Sequence, residues 1–160
     1  MLLEISFPLL MRFGMPIVKE LKQHKLLLDT HVWIWVTEGN PILSPRSRKA
    51  FEKAKESELL LISPITIWEI SKLVEKKRIV LEMDIMDWLK QWIELPGILT
   101  AEFSFQVAVL SNRLPNNSHT DPADRILMAS AFEENAVLVT ADEKILEYGK
   151  DKFISVYDPT

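Results

Sequence analysis

Brief apolar runs alternating with helix-length stretches are the feature that most limits what this chain can become. KLLL at 25–28 runs into Asp29, LLLI stands at 59–62, AVLVT at 136–140 and FISVY at 153–157. Runs of this kind suit strands buried on both faces. Ile98 and Leu99 offer a further short strand. Between them, Ser44-Pro45 and Ser63-Pro64 each pair a helix N-cap with proline at the first helical position, opening helices that reach about residues 56 and 77. Asp84 and Asp87 have capping-box spacing ahead of another helix. The stretch 102–113 reads helical, LPNNSHT at 114–120 reads as loop, Asp121-Pro122 opens a helix to about residue 135, and a short helix starts near Asp142. Residues 31–36 read only as a short aromatic segment. Parallel neighbours need crossover connections that are usually helical, so the alternation predicts an α/β fold with a mostly parallel central sheet flanked by helices on both faces.

With 160 residues, 48% of them hydrophobic, the chain is the size of one domain with a real core. It has no cysteine, which excludes disulfides, thiolate zinc sites and a cysteine nucleophile, and makes the cytoplasm the default location. The apolar segment at 1–18 is broken by Glu4, Pro8 and Arg12 and has no basic region ahead of it. It reads as neither a signal peptide nor a membrane span, so residues 1–24 are taken as an extension before a domain at 25–160. Met11 and Met15 leave a later start open.

In an open parallel sheet the ligand site lies beyond the carboxyl ends of the strands. Asp29 follows the first strand directly, Asp142 follows AVLVT by two residues, Glu69 lies in the helix leaving LLLI, and Asp124 lies in the first turn of a helix. Each acid also has a structural alternative. Asp29 and Asp142 fit helix caps or first-turn acids, and Asp121 with Asp124 has capping-box spacing around Pro122. Glu69 resists that alternative best, because its helical neighbours Ile65 and Leu73 place it on an apolar stripe where an unpaired carboxylate is costly. Carboxylates forced together raise one another's pKa unless a cation neutralises them, so a cluster implies a hard metal. Oxygen-only ligands favour Mg²⁺ or Mn²⁺ over zinc and suit phosphodiester hydrolysis.

A net charge of −4 argues against holding nucleic acid by overall charge, so any such contact is local. Two basic clusters could make it: Arg46, Arg48, Lys49, Lys53 and Lys55, and Lys72, Lys76, Lys77 and Arg78. Both also read as solvated helix faces, interleaved as they are with Glu52, Glu56, Glu58 and Glu75.

The motifs LLLDTHVWIW at 26–35, LSPRSR at 43–48, ISPITIWEISKL at 62–73, HTDPADRILMASA at 119–131 and LVTADEKI at 138–145 together resemble the PIN-domain family, most closely its VapC-type toxins. The resemblance implies a PIN-like α/β/α sandwich, an acidic quartet of Asp29, Glu69, Asp124 and Asp142 that binds one or two Mg²⁺ or Mn²⁺ ions, and cleavage of RNA. Asp121 is an additional acid, and Thr140 and Thr30 match positions that order the site by hydrogen bonding. The resemblance also implies a homodimer held by a cognate antitoxin, and the lack of a membrane span in the sequence predicts no membrane association. The tryptophans at 33, 35, 68, 88 and 92 fit either that contact or the core, and the helical spacing of Trp88 and Trp92 favours the core. His31 and His119 could contact the leaving group or RNA, or be structural or solvated, and Arg125 suits a salt bridge to an acid. Two rivals stand beside this reading: a phosphotransferase with Asp29 as nucleophile, which would want an aspartate where His31 stands, and a PIN-like scaffold that binds RNA without cutting it.

Overall fold

The computed structural model describes residues 21, 23–115, 121–151 and 153–160. The expected extension at 1–24 therefore falls outside the described residues except for Leu21, Gln23 and His24, and so does His119 in the expected loop.

Five strands form one sheet in the order β3-β2-β1-β4-β5, every neighbouring pair parallel. They are β1 (Leu26–Leu28), β2 (Leu60–Ile62), β3 (Ile98–Thr100), β4 (Val137–Val139) and β5 (Ser155–Tyr157). Side chains alternate across a strand, and the core divides accordingly. Leu26, Leu28, Leu60, Ile62, Val137 and Val139 face one layer, while Leu27, Leu61, Leu138 and Val156 face the other. The first layer is closed by Val32 and Trp33 of α1 (Thr30–Thr37), Phe51 of α2 (Pro45–Glu56) and Ile70 of α3 (Pro64–Glu75), with Trp88 and Trp92 of α4 (Ile85–Ile93) packed against it. The second holds Leu127 and Met128 of α6 (Pro122–Glu133) and Ile145 and Tyr148 of α7 (Glu143–Gly149), with Leu110 of α5 (Phe105–Arg113) packed against it.

The proline-led helices start as expected: Ser44 accepts from the Ser47 amide and Ser63 from the Ile65 amide. Their ends re-aim the chain. Glu58 and Asn135 adopt φ of 54° and 50°, so that the amides of Leu59 and Ala136 reach back to the carbonyls of Ala54 and Ala131 before entering β2 and β4. Gly97 has φ of +87°, and a Cβ there would lie 1.9 Å from the Lys55 carbonyl oxygen, so only glycine lets the turn into β3 pass α2.

Two elements differ from expectation. Residues 31–36 belong to a full helix, α1, that begins one residue after β1 ends. The helix expected from 102 begins instead at Phe105, because Ser104 supplies the cap, accepting from the Val107 amide at 3.2 Å, and Ala101 still donates to Ile62 as an extension of β3. The sheet order reverses between β1 and β4, which places the topological switch point between Asp29 and Thr140.

Candidate active site

Asp29 leaves β1 in an extended conformation and starts α1 with its own side chain, which is 4% exposed with its backbone. One carboxylate oxygen accepts from the Thr30 amide at 2.5 Å and the other from the Thr140 hydroxyl at 2.6 Å. Thr140, fully buried at the end of β4, accepts in turn from the Asp142 amide at 3.0 Å. Asp142 caps α7, taking the amides of Lys144 and Ile145. Asp121 caps α6 through the Ala123 amide at 2.8 Å, with Asp124 in the first turn of the same helix. On α3, Glu69 accepts from the Thr30 hydroxyl at 2.5 Å. The capping and site readings of these acids are thus compatible: a cap at the carboxyl end of a strand aims its carboxylate at the rim.

Electrostatics show that the acids share one region. Burial pushes Asp124 up, and Asp29, Asp121, Asp142 and Glu69 each push it further, to about 7. Burial also raises Glu69, reinforced by Asp29 and Asp121 and opposed by the Thr30 hydroxyl and Lys72. Asp29 is raised chiefly by burial and also by Asp142, against the pull of His31, Thr140 and the Thr30 amide. All four acids expected from sequence, with Asp121 as a fifth, are electrostatically coupled.

His31 orders the site in a way its sequence position only hinted at. Its Nδ1 lies 3.3 Å from an Asp29 carboxylate oxygen, while its Nε2 accepts from the Ala141 amide at 3.1 Å. That pairing leaves the proton on Nδ1, and so the imidazole clamps the β1 end to the β4 end. The hint was its place two residues past a strand-end aspartate. Arg125 donates through Nε to the Ser111 carbonyl of α5 at 2.7 Å.

A cavity of about 250 Å³ lies elsewhere, lined by Trp33, Trp92, Leu60 and Ile98 near the amino ends of β2 and β3. None of the five acids lines it. Among the described residues, no three histidine or acidic side chains stand ready to cage a metal ion. This is compatible with Mg²⁺, which keeps several waters and takes one or two carboxylates directly. The donor set fits such an ion, since it offers oxygens alone and groups whose raised pKa values a cation would relieve.

Removing the Thr140 hydroxyl tests the support for this arrangement. Thr140→Ala leaves an Asp29 oxygen and the Asp142 amide short of a partner, so activity or metal affinity is expected to fall about 10- to 100-fold, the usual cost of losing a group that orients a ligand. Thr140→Ser keeps the hydroxyl and should restore most of it. Equal values for the two variants would refute the role.

The fold and rim define a class: an open parallel α/β domain that gathers carboxylates beyond the strand ends. The PIN domain model matches residues 26–151, and the chain belongs to the PIN-domain family. Ribonuclease VapC22 of Mycobacterium tuberculosis (strain ATCC 25618 / H37Rv) is 32% identical over 132 residues, covering 82% of this chain and 98% of that protein. The DNA-bound VapBC crystal structure from Salmonella typhimurium matches with a TM-score of 0.61 at 18% identity, covering 86% of this chain and 99% of that one. VapBC2 from Rickettsia felis, bound to a fragment of promoter DNA, matches with 0.60 at 18% identity, over 82% and 96%. At these identities the two structures speak to the fold, and they share the α/β/α sandwich. No helix among the described residues is long and apolar enough to cross a membrane.

Proposed function

We propose that this chain is a divalent-metal-dependent endoribonuclease that hydrolyses RNA phosphodiester bonds. The observation that carries the reading is the gathering of four carboxylates, Asp29, Glu69, Asp121 and Asp142, around the half-buried Asp124. Asp29, Glu69, Asp124 and Asp142 would hold one or two Mg²⁺ or Mn²⁺ ions, with Asp121 beside them. When bound, such an ion supplies Lewis acidity toward a phosphate oxygen and toward water. The chain's own part is orientation. Thr140 and His31 fix the Asp29 carboxylate, the Thr30 hydroxyl fixes Glu69, and the helix caps hold Asp121 and Asp142 at the rim. Asp124 holds a proton on its carboxyl group up to about pH 7 without a cation, so loading and deprotonation go together.

The similarity to a protein named Ribonuclease VapC22 supports RNA as the substrate, and on this reading the chain is a cytoplasmic, homodimeric toxin held by a cognate antitoxin. The test is cleavage of a defined single-stranded RNA by antitoxin-free protein with and without Mg²⁺ or Mn²⁺, alongside Asp29→Asn and Glu69→Gln. Each variant is expected to lose at least about 100-fold in rate, the scale of a ligand that positions several kcal/mol of charge stabilisation. Cutting that ignores both the metal and the variants would sink the acidic-site mechanism, and no cutting of any RNA would leave a binding scaffold.

A further inference from the structure

Trp68 differs from the other tryptophans. Trp33 is 1% exposed, and Trp35, Trp88 and Trp92 pack against the core, whereas Trp68 is 54% exposed on α3, one residue before Glu69. The Lys72 ammonium lies 4.6 Å above the Trp68 ring centroid, and its charge also reaches Glu69. The half-exposed indole, with a cation on its face at the edge of an acidic cluster, belongs to neither core cluster.

We infer that the outer face of α3 is the subsite that receives single-stranded RNA, with a base stacked on Trp68 and phosphates met by Lys72 and Lys76. The proposal rests on the ribonuclease reading and deepens it. Trp68, Lys72 and Lys76 recur every four residues, so they share one stripe of the helix, and Lys77 and Arg78 follow exposed at its end. The stripe runs from the Glu69 turn away from the acids. It is the second basic cluster of the sequence, and it meets the requirement that a chain of net charge −4 contact nucleic acid locally. Every base has a π-face, so an aromatic platform accepts unpaired bases of any sequence, while adjacent lysines track the backbone. On the same rim, the segment after β3, the neighbour of β2, carries two more exposed rings, Phe103 and Phe105. A paired duplex keeps its base faces stacked, so the platform selects single strands or splayed loops.

The experiment measures anisotropy of a fluorescein-labelled ten-nucleotide RNA, and of the same RNA with abasic sites, bound to the full chain in EDTA, where the proposed metal chemistry is off. The wild type should prefer the base-bearing RNA. Trp68→Ala should bind it about 5- to 100-fold more weakly and lose the preference, with Trp68→Phe retaining most of both. Lys72→Ala should reduce the slope of log affinity against log salt by about 0.7, the value for one single-strand phosphate contact. Light scattering on each variant reports the oligomeric state. An unchanged preference in Trp68→Ala overturns the platform, as does a wild type that binds both RNAs alike. Dissociation of the protein with RNA affinity unchanged overturns it in favour of a contact between copies. Because binding is read without cleavage, a wild type that binds but never cuts sinks the nuclease reading alone, and one that cuts with Trp68→Ala binding normally sinks the platform alone.

Discussion

Asp124→Asn is expected to raise the melting temperature of the cation-free protein at pH 8 while lowering its RNA cleavage at least about 100-fold. The two effects have one cause. Burial and four neighbouring carboxylates push Asp124 to about 7, well above the value near 4 of an exposed aspartate. Between these values the folded state holds a proton that the unfolded chain has released. The stability this confers is full below about pH 4 and lost as pH rises through about 7. At pH 8 the wild type must keep an ionised carboxylate among like charges, and asparagine relieves it. For a domain of this size about 1 kcal/mol shifts the melting temperature by roughly 3 °C, which is the order of gain expected after allowing for solvent screening. The gain should shrink as pH falls toward 5, and added Mg²⁺ should stabilise the wild type more than the variant. Thermal melts at pH 5 and pH 8, with EDTA or Mg²⁺, measure all of this. A melting temperature that does not respond at pH 8 would show that Asp124 carries no such burden.

Leu127→Ala is expected to cost about 3 kcal/mol and to lower the melting temperature by roughly 6–12 °C. Leu127 is fully buried one helical turn beyond Asp124, in the cluster formed with Leu27, Leu61, Leu138 and Val156. Truncation removes apolar area from the layer that seats α6 on the sheet and leaves a cavity the close-packed strands cannot collapse into. Glu133→Ala, exposed at the end of the same helix, should change stability by less than about 0.5 kcal/mol. Urea unfolding of both variants decides the matter. Equal midpoints would mean that α6 is not anchored through this residue.

Much of the fold could be read from the sequence because its signals are local. The apolar runs gave β1, β2, β4 and β5 within two residues, and the serine-proline and aspartate-proline pairs marked the starts of α2, α3 and α6. Asp29 and Asp142 could be aimed at the rim because each follows a strand. What escaped depended on contacts far along the chain. Trp33, Ile34, Trp35 and Val36 have strand-like local preference, and α1 forms because Asp29 caps it and Val32 and Trp33 find the core. Of the four acids around Asp124 only Asp121 is near in sequence; Asp29, Glu69 and Asp142 come from three other elements. The tryptophans were equally opaque: spacing hinted at core positions for Trp88 and Trp92, but gave no sign that Trp68 stands out in solvent.

The switch point between β1 and β4 also sets when the rim can exist at all. The hydrogen bond from Thr140 to Asp29 joins residues 111 positions apart, and the clamp of His31 on Ala141 spans 110. A chain emerging from the ribosome presents Asp29 early but has nothing to hold it against until β4 is out. Such long-range closure is slow in folding terms, and it makes the acidic rim a late product of synthesis. Chains broken off before β4 would carry Asp29, Glu69 and Asp124 with no frame to bring them together, so topology itself guards against incomplete copies acting early.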